Sequence, residues 1–131
     1  MNRQLKFRVW DKLAERMIYP HNYNQQHFII DLNGRFHNLQ NGSGGDDYVI
    51  QQYTGLTDNN DDPIYEGDIL KNHYDVGNNI IGQVLYEADH GGYIFQWKRK
   101  GRGQDYKNLN CDVAFESVIV GNKFEHSELL N

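Results

Sequence analysis

Six histidines and one cysteine are the side chains of this sequence best suited to bind a metal ion. The histidines are scattered along the chain and form no His-Glu-x-x-His sequence, and Cys111 has no cysteine or histidine close to it. The spacing therefore predicts no metal site and no cofactor, and it favours histidines dispersed over the surface or along sheet edges. They are His21, His27, His37, His73, His90 and His126.

A calcium loop is suggested by Asp58, Asn60 and Asp62, which occupy the first, third and fifth positions of an EF-hand-like pattern. The pattern then fails, because Pro63 stands where the sharp turn needs glycine and Ile69 where the bidentate glutamate belongs. These residues therefore predict an Asx-rich turn.

Glu66 and Asp68 are the best candidates for a pair of catalytic acids, since residues two apart on a strand share a face. The intervening Gly67 favours a turn instead, in which the Asp68 carboxylate accepts a hydrogen bond from a nearby amide. The chain also lacks a Gly-x-Ser-x-Gly elbow and a phosphate-binding glycine loop. The sequence predicts no catalytic residue and favours a protein without enzymatic activity.

One basic cluster could contact an anionic ligand. Lys98, Arg99, Lys100 and Arg102 follow Trp97, a combination that would suit stacking and phosphate contacts to single-stranded nucleic acid. The simpler interpretation is a solvated hairpin tip, with Trp97 in the core of the domain. The same cations could also meet an acidic surface of a neighbouring subunit or of another protein.

The composition predicts that these residues are carried by one compact domain built mainly from β-strands. The 131 residues are about the length of a single domain. Nine Tyr, six Phe and two Trp favour strands over helices, because aromatic side chains fit a pleated sheet. Thirteen Gly against two Pro suit the many tight turns that short strands require.

Charge is unevenly distributed along the chain. Residues 1–57 contain six Lys/Arg and five Asp/Glu, whereas residues 58–131 contain seven and thirteen. This acidic second half speaks against general attraction to nucleic acid or to an anionic membrane. No stretch is long and apolar enough for a signal segment or a membrane span, and a single cysteine fits a reducing compartment. We expect a soluble, cytoplasmic protein.

Residues 1–57 are predicted to form a first substructure of β-hairpins. Residues 5–10 alternate apolar and polar side chains, which is typical of a half-buried strand, and residues 17–19 return as its partner. Residues 28–39 predict a second hairpin, in which Asn33-Gly34 forms a two-residue type I′ turn. A strand at 48–53 completes this substructure.

Residues 62–126 are predicted to form a second substructure, a small SH3-like barrel of about five strands, after a polar break at 54–62. Gly67-Asp68 resembles the entry into the first strand of such barrels. Ser127 is positioned to cap a short C-terminal helical turn. Apolar or alternating segments predict the barrel strands at 69–71, 80–86, 93–97, 113–115 and 118–120.

Two segments separated by only a few residues carry a family resemblance. They are Tyr53-Thr54-Gly55-Leu56 and Ile64-Tyr65-Glu66-Gly67-Asp68-Ile69, and they lie between Phe7 and Trp10 near the start and Val120-Gly121-Asn122 and Glu128-Leu129-Leu130 near the end. In this order they resemble the YopX family of phage and prophage proteins over nearly the whole chain, so we treat residues 1–131 as one YopX-like unit. The resemblance implies a small cytoplasmic protein of a bacterial host, with a tendency to self-associate. It implies no catalytic residue.

The sequence leaves more than one function open. The short β-rich chain and its aromatic residues favour a non-enzymatic binding or assembly module, whose partner is a second copy of the chain or a phage or host protein. The alternative is a nucleic-acid accessory protein that uses residues 98–102 with Trp97 nearby. A small hydrolase is a third hypothesis.

Overall fold

β-Strands make up most of the regular secondary structure, so the prediction of a mainly β protein is confirmed. The chain divides into two units, which we call the smaller unit (Leu5–Gln52) and the larger unit (Tyr53–Asn131 with Gln4). The computed structural model describes residues 4–19, 27–75, 78–99, 101 and 103–131.

The smaller unit contains two antiparallel hairpins and the first half of a long strand. In one sheet, β1 pairs on one side with β2 and on the other with the start of β5, and β3 pairs with β4 in a separate two-stranded sheet. Both predicted hairpins are thus confirmed. The strands are β1 (Phe7–Asp11), β2 (Arg16–Ile18), β3 (Phe28–Ile30), β4 (Phe36–Asn38) and β5 (Tyr48–Thr57).

The turn between β3 and β4 differs from the predicted type I′ turn. A type I′ turn needs a positive φ at both central residues, but only Gly34 has one, at 79°. The loop is longer, and the Asp31 carboxylate organises it by accepting hydrogen bonds from the Asn33 and Arg35 amides at 2.9 and 3.0 Å. The Asp31 carboxylate therefore holds this loop together, and Asn33 does not adopt the positive φ that the predicted turn requires.

The core of the smaller unit is small. Val9 and Ile18, which face each other across β1 and β2, pack with Phe36 from β4. The Phe36 ring lies 5.4 Å from that of Phe28 and 4.5 Å from that of Tyr48. One side of β1 therefore packs against a cluster of aliphatic and aromatic residues. The other side is buried as well, at Arg8 and Trp10, so the prediction of a half-buried strand is wrong in its burial.

The larger unit contains the rest of β5 and six further strands. The end of β5 pairs with β6, and the other five strands form one antiparallel sheet in the order β10-β9-β8-β7-β11. The prediction of an SH3-like second substructure of about five strands is confirmed. The strands are β6 (Pro63–Tyr65), β7 (Asp68–Asp75), β8 (Asn78–Glu87), β9 (Gly92–Arg99), β10 (Gly103–Asn108) and β11 (Ser117–Asn122).

One predicted strand of this sheet is wrong, and one strand was not predicted. Residues 113–115 belong to a short helix, α1 (Cys111–Phe115), because the Asn110 side chain accepts a hydrogen bond from the Val113 amide and so caps a helical turn. The fifth strand of the sheet is instead β10, whose mostly polar residues show no apolar alternation. It forms because it pairs with β9 over its whole length.

The chain ends in a 3-10 turn, Ser127–Leu130, which agrees with the predicted short C-terminal turn. Ser127 does not cap it. The residue before the turn is His126, and no side-chain hydrogen bond closes its start.

The predicted polar break begins later than expected, since Thr54 to Thr57 still belong to β5. The loop that follows depends on Asp58, a buried residue whose Oδ1 accepts hydrogen bonds from the Asn60 and Asp62 amides, both at 2.9 Å. The other oxygen, Oδ2, accepts from the Ile119 amide of β11 at 2.9 Å. The predicted Asx turn is confirmed, and it also ties the loop to β11.

A second buried aspartate shapes the start of β7. Asp68 Oδ2 accepts a hydrogen bond from the Tyr65 amide at 2.8 Å, as the sequence predicts. Gly67 has a φ of 90°, which a residue with a side chain rarely adopts, and its amide donates to the Val84 carbonyl at 2.7 Å. The Gly-Asp pair therefore serves as a turn.

The core of the larger unit is more extensive. Gly82 lies on its inner side, where a side chain would collide with the Gln96 carbonyl and the Phe95 ring. Glycine is needed here because the backbone of β9 and the aromatic ring approach so closely. The buried apolar residues are Ile64, Leu70, Val84, Phe95, Val113 and Ala114.

Candidate functional site

The structure separates the residues of the predicted basic site. Successive side chains of a strand point to opposite faces, so Trp97 and Arg99 share one face of β9 and Lys98 lies on the other. The Trp97 ring lies 5.4 Å from that of Phe95 and packs against the core, which supports its interpretation as a core residue. Arg99 forms an ion pair with Asp105 at 3.2 Å.

Lys98 is exposed and lies on the face of the sheet away from the core. The two remaining members of the predicted site, Lys100 and Arg102, lie outside the described residues. The basic site as a whole therefore stays a prediction.

In the smaller unit, apolar side chains line a groove of about 420 Å³, which we call the apolar groove. Its floor is the core cluster of Val9, Ile18 and Phe36. Its walls come from two segments, the beginning of β1 with the residues before it and the strand β3. The wall residues are Leu5, Phe7, Phe28, Ile29 and Ile30, and Lys6 is the charged side chain among the described residues of the lining.

One wall of the apolar groove is the strand β3. In the described part of the chain, β3 pairs only with β4. Ile29 at the centre of this strand is 42% exposed, and Leu5 on the opposite wall is also exposed. The groove thus offers apolar surface beside backbone groups that can pair with another strand.

The hairpin that supplies this wall is organised by the Asp31 carboxylate. The His37 ring nitrogen Nε2 lies 2.9 Å from Asp31 Oδ2. The turn amides bond to the other carboxylate oxygen, Oδ1. The hydrogen bond from His37, followed by that from the Arg35 amide, lowers the pKa of Asp31 below its usual range.

The outer face of the five-stranded sheet of the larger unit has a different character. In one row across the strands, Lys71 pairs with Ile81 and Lys98 pairs with Gln104. The register that pairs Gly82 with Trp97 places Ile81 beside Lys98. This row therefore carries two cationic side chains and no carboxylate.

The next row on the same face is formed by amides and an aromatic ring on β8, β9 and β10, and by the buried Ile69 on β7. Gln83 pairs with Gln96, and Gln96 pairs in turn with Tyr106. Tyr106 is 47% exposed, and the His90 ring packs on it at 5.0 Å between centroids. We call the two rows together the lysine-glutamine face, defined by Lys71, Gln83, Gln96, Lys98, Gln104 and Tyr106.

Part of this face is concave. A groove of about 300 Å³ runs over the neighbouring strands β8, β9 and β10, and Leu129 and Leu130 of the C-terminal turn form its other wall. Within the described part of the chain, the side chains of Gln83, Gln96 and Gln104 form no hydrogen bond. Their carboxamides can therefore both donate to and accept from a ligand.

Each described histidine makes its own separate contact. His37 contacts Asp31, His73 lies 2.7 Å from the Asn79 side chain, and the His126 ring accepts a hydrogen bond from the Asn122 amide. His27 and His90 pack against the Phe28 and Tyr106 rings, and His21 lies outside the described residues. Among the described residues, no three His, Cys, Asp or Glu side chains are close enough to share a metal ion.

Sequence reasoning missed both surfaces, although part of the outer face was visible. Alternation along residues 93–98 already assigns Gln96 and Lys98 to the face opposite Trp97. Tyr106 could not be assigned to a face because β10 was not predicted. The apolar groove depends on the proximity of two hairpins, about which local periodicity contains no information.

The fold is that of a small, mainly β protein, and comparison with known proteins assigns it to a family. The family model described as YopX protein matches residues 6–131, and the chain belongs to this family. The crystal structure of protein EF1440 from Enterococcus faecalis has a similar fold, with a TM-score of 0.58 and 22% sequence identity. The similarity covers 99% of this chain and 100% of that protein. No curated protein matches the chain.

Among the described residues, helices are too short or too polar to cross a lipid bilayer.

Proposed function

We propose that the protein is a non-enzymatic binding module whose apolar groove takes an extended segment of a partner protein. The observation that carries this proposal is the groove of about 420 Å³ with apolar walls, one of which is β3, a strand that pairs only with β4 among the described residues. The partner is a phage or host protein, encountered in the cytoplasm of a bacterial host. The groove supports this proposal by its chemistry, because its lining is suited to burial of apolar side chains.

An extended peptide suits the groove better than a helix. A peptide strand that pairs with the edge of β3 away from β4 gains backbone hydrogen bonds, and every second side chain points to the same side. Phe28 and Ile30 lie two residues apart and frame one such position, with Ile18 and Phe36 beneath it. Bulky aliphatic or aromatic side chains at alternate peptide positions would fill this space.

The proposal can be tested with peptides selected from a random library displayed on phage. We expect the selected sequences to carry large apolar residues at every second position. Synthetic versions are then titrated calorimetrically against the natural chain and against Ile29→Asp, which places a charge on the exposed groove wall. We expect affinity to fall at least about tenfold, because the peptide would have to bury that carboxylate.

Leu13→Asp provides the matched control. Leu13 is 79% exposed in the turn between β1 and β2, and it does not line the groove. Equal binding by the Ile29→Asp and Leu13→Asp variants would contradict the proposal. If light scattering shows a dimer that Ile29→Asp disrupts and Leu13→Asp does not, the occupant is a second copy of the chain, and the assignment to a separate partner is wrong.

A further inference from the structure

From the lysine-glutamine face we infer that the larger unit binds single-stranded nucleic acid, independently of the apolar groove. Lys71 and Lys98 would contact phosphates, the three glutamines would hydrogen-bond base edges, and Tyr106 would stack on a base. This site differs from the basic cluster at residues 98–102, because its members come from four strands.

Charge on this face favours an anionic ligand although the chain as a whole is acidic, with a net charge of −5. Within the described part of the chain, neither Lys71 nor Lys98 forms an ion pair. Arg99, by contrast, is neutralised by Asp105 on the opposite face. Cations without a carboxylate partner are the groups that can exchange their counterions for phosphates.

The uncharged residues of the face favour nucleic acid over a simple anion. Gln83 and Gln96 are paired on the adjacent strands β8 and β9, and Gln104 on β10 is paired with Lys98. A carboxamide offers a donor and an acceptor together, which matches the edge of a base. Simple phosphate or sulfate would leave the acceptor oxygens of these amides without a partner.

Tyr106 supplies the ring on which a base can stack. It lies directly across from Gln96, so the ring and the carboxamide are within reach of one nucleotide. His90 packs against the ring, while about half of the side chain stays exposed. Stacking of this kind accepts every base and is typical of proteins that bind single strands.

The test measures fluorescence anisotropy of a labelled oligodeoxynucleotide of about 12 nucleotides, a length within the range that small β domains cover. We expect the natural chain to bind more weakly at about 200 mM than at about 50 mM salt. Lys98→Ala should reduce the slope of log affinity against log salt by about 0.7, the value for one phosphate contact to a single strand. Tyr106→Ala should weaken binding at least about fivefold.

Two control variants lie on the opposite face of the same strands. Arg99→Ala removes a neighbouring cation, and Tyr86→Ala removes a tyrosine that is 52% exposed and packs against Tyr93. We expect both to bind as the natural chain does. Absence of binding at low salt, or equal losses in Arg99→Ala and Lys98→Ala, would overturn the inference. A mononucleotide that competes as effectively as the oligonucleotide would overturn the assignment to a nucleic-acid strand.

Discussion

The smaller and the larger unit are built from the same kind of element, antiparallel strands rich in aromatic residues, but they use their apolar residues differently. In the larger unit, Phe95 and its neighbours are buried in one cluster. In the smaller unit, Phe28 and Ile30 stay partly exposed and line a groove. The comparison shows that similar strands can complete a core or leave an apolar surface for another chain to cover.

The two units also differ in how they use buried aspartates. Asp58 in the larger unit joins a loop to a distant strand, since it accepts from the Ile119 amide as well as from its own turn. Asp11 in the smaller unit accepts hydrogen bonds from the Leu13 and Ala14 amides of its own turn. Of these two aspartates, Asp58 is the one that links distant segments of the chain.

The largest expected difference is in the stability lost when a phenylalanine is removed from each unit. Phe95→Ala should destabilise the protein by about 3–5 kcal/mol, because it leaves a cavity in a fully buried cluster. Phe28→Ala should cost only about 1–2 kcal/mol, since this ring already borders the groove. Urea denaturation followed by circular dichroism measures both. Equal losses would mean that the groove wall is as well packed as the core.

The comparison of the aspartates should give a smaller effect. Asp58→Ala leaves three amides without their acceptor, and we expect a loss of about 2–3 kcal/mol. Asp11→Ala removes two local bonds and should cost about 1 kcal/mol. Chemical denaturation gives the totals, and hydrogen exchange of the Ile119 amide reports the long-range contact. Unchanged exchange at Ile119 in Asp58→Ala would contradict a link between the loop and β11.

The smallest effect should be the dependence of stability on acidic pH that comes from Asp31 in the β3–β4 hairpin. Because hydrogen bonds lower the pKa of Asp31 in the folded state, the carboxylate stabilises the fold at pH values above its unfolded pKa, near 3.9. This contribution is lost as the pH falls through the lower, folded pKa. Urea midpoints between about pH 2 and 5 should therefore fall less in Asp31→Ala than in the natural chain. Parallel pH profiles of the two proteins would show that Asp31 makes no such contribution.

Sequence patterns predicted much of the fold, because period-two alternation reports directly on strands with one buried face. They succeeded for the position of β1, although both of its faces are buried, for both hairpins of the smaller unit and for the Asp58 and Asp68 turns. They failed for β10, whose pairing with β9 depends on tertiary structure, and for residues 113–115, where the capping residue Asn110 outweighs the β preference of Val113 and Phe115. The candidate surfaces required the strand order, which no local pattern supplies.

The alternation along β9 also limits how the length of this protein can change during evolution. Trp97 and Lys98 occupy opposite faces, so inserting or deleting a single residue within the strand would bring a lysine to the core and a tryptophan to solvent. Only changes of two residues, or changes confined to the turn after Arg99, preserve both surfaces. Homologues of different length are therefore expected to vary at that turn, and any change of length within β9 is expected to be an even number of residues.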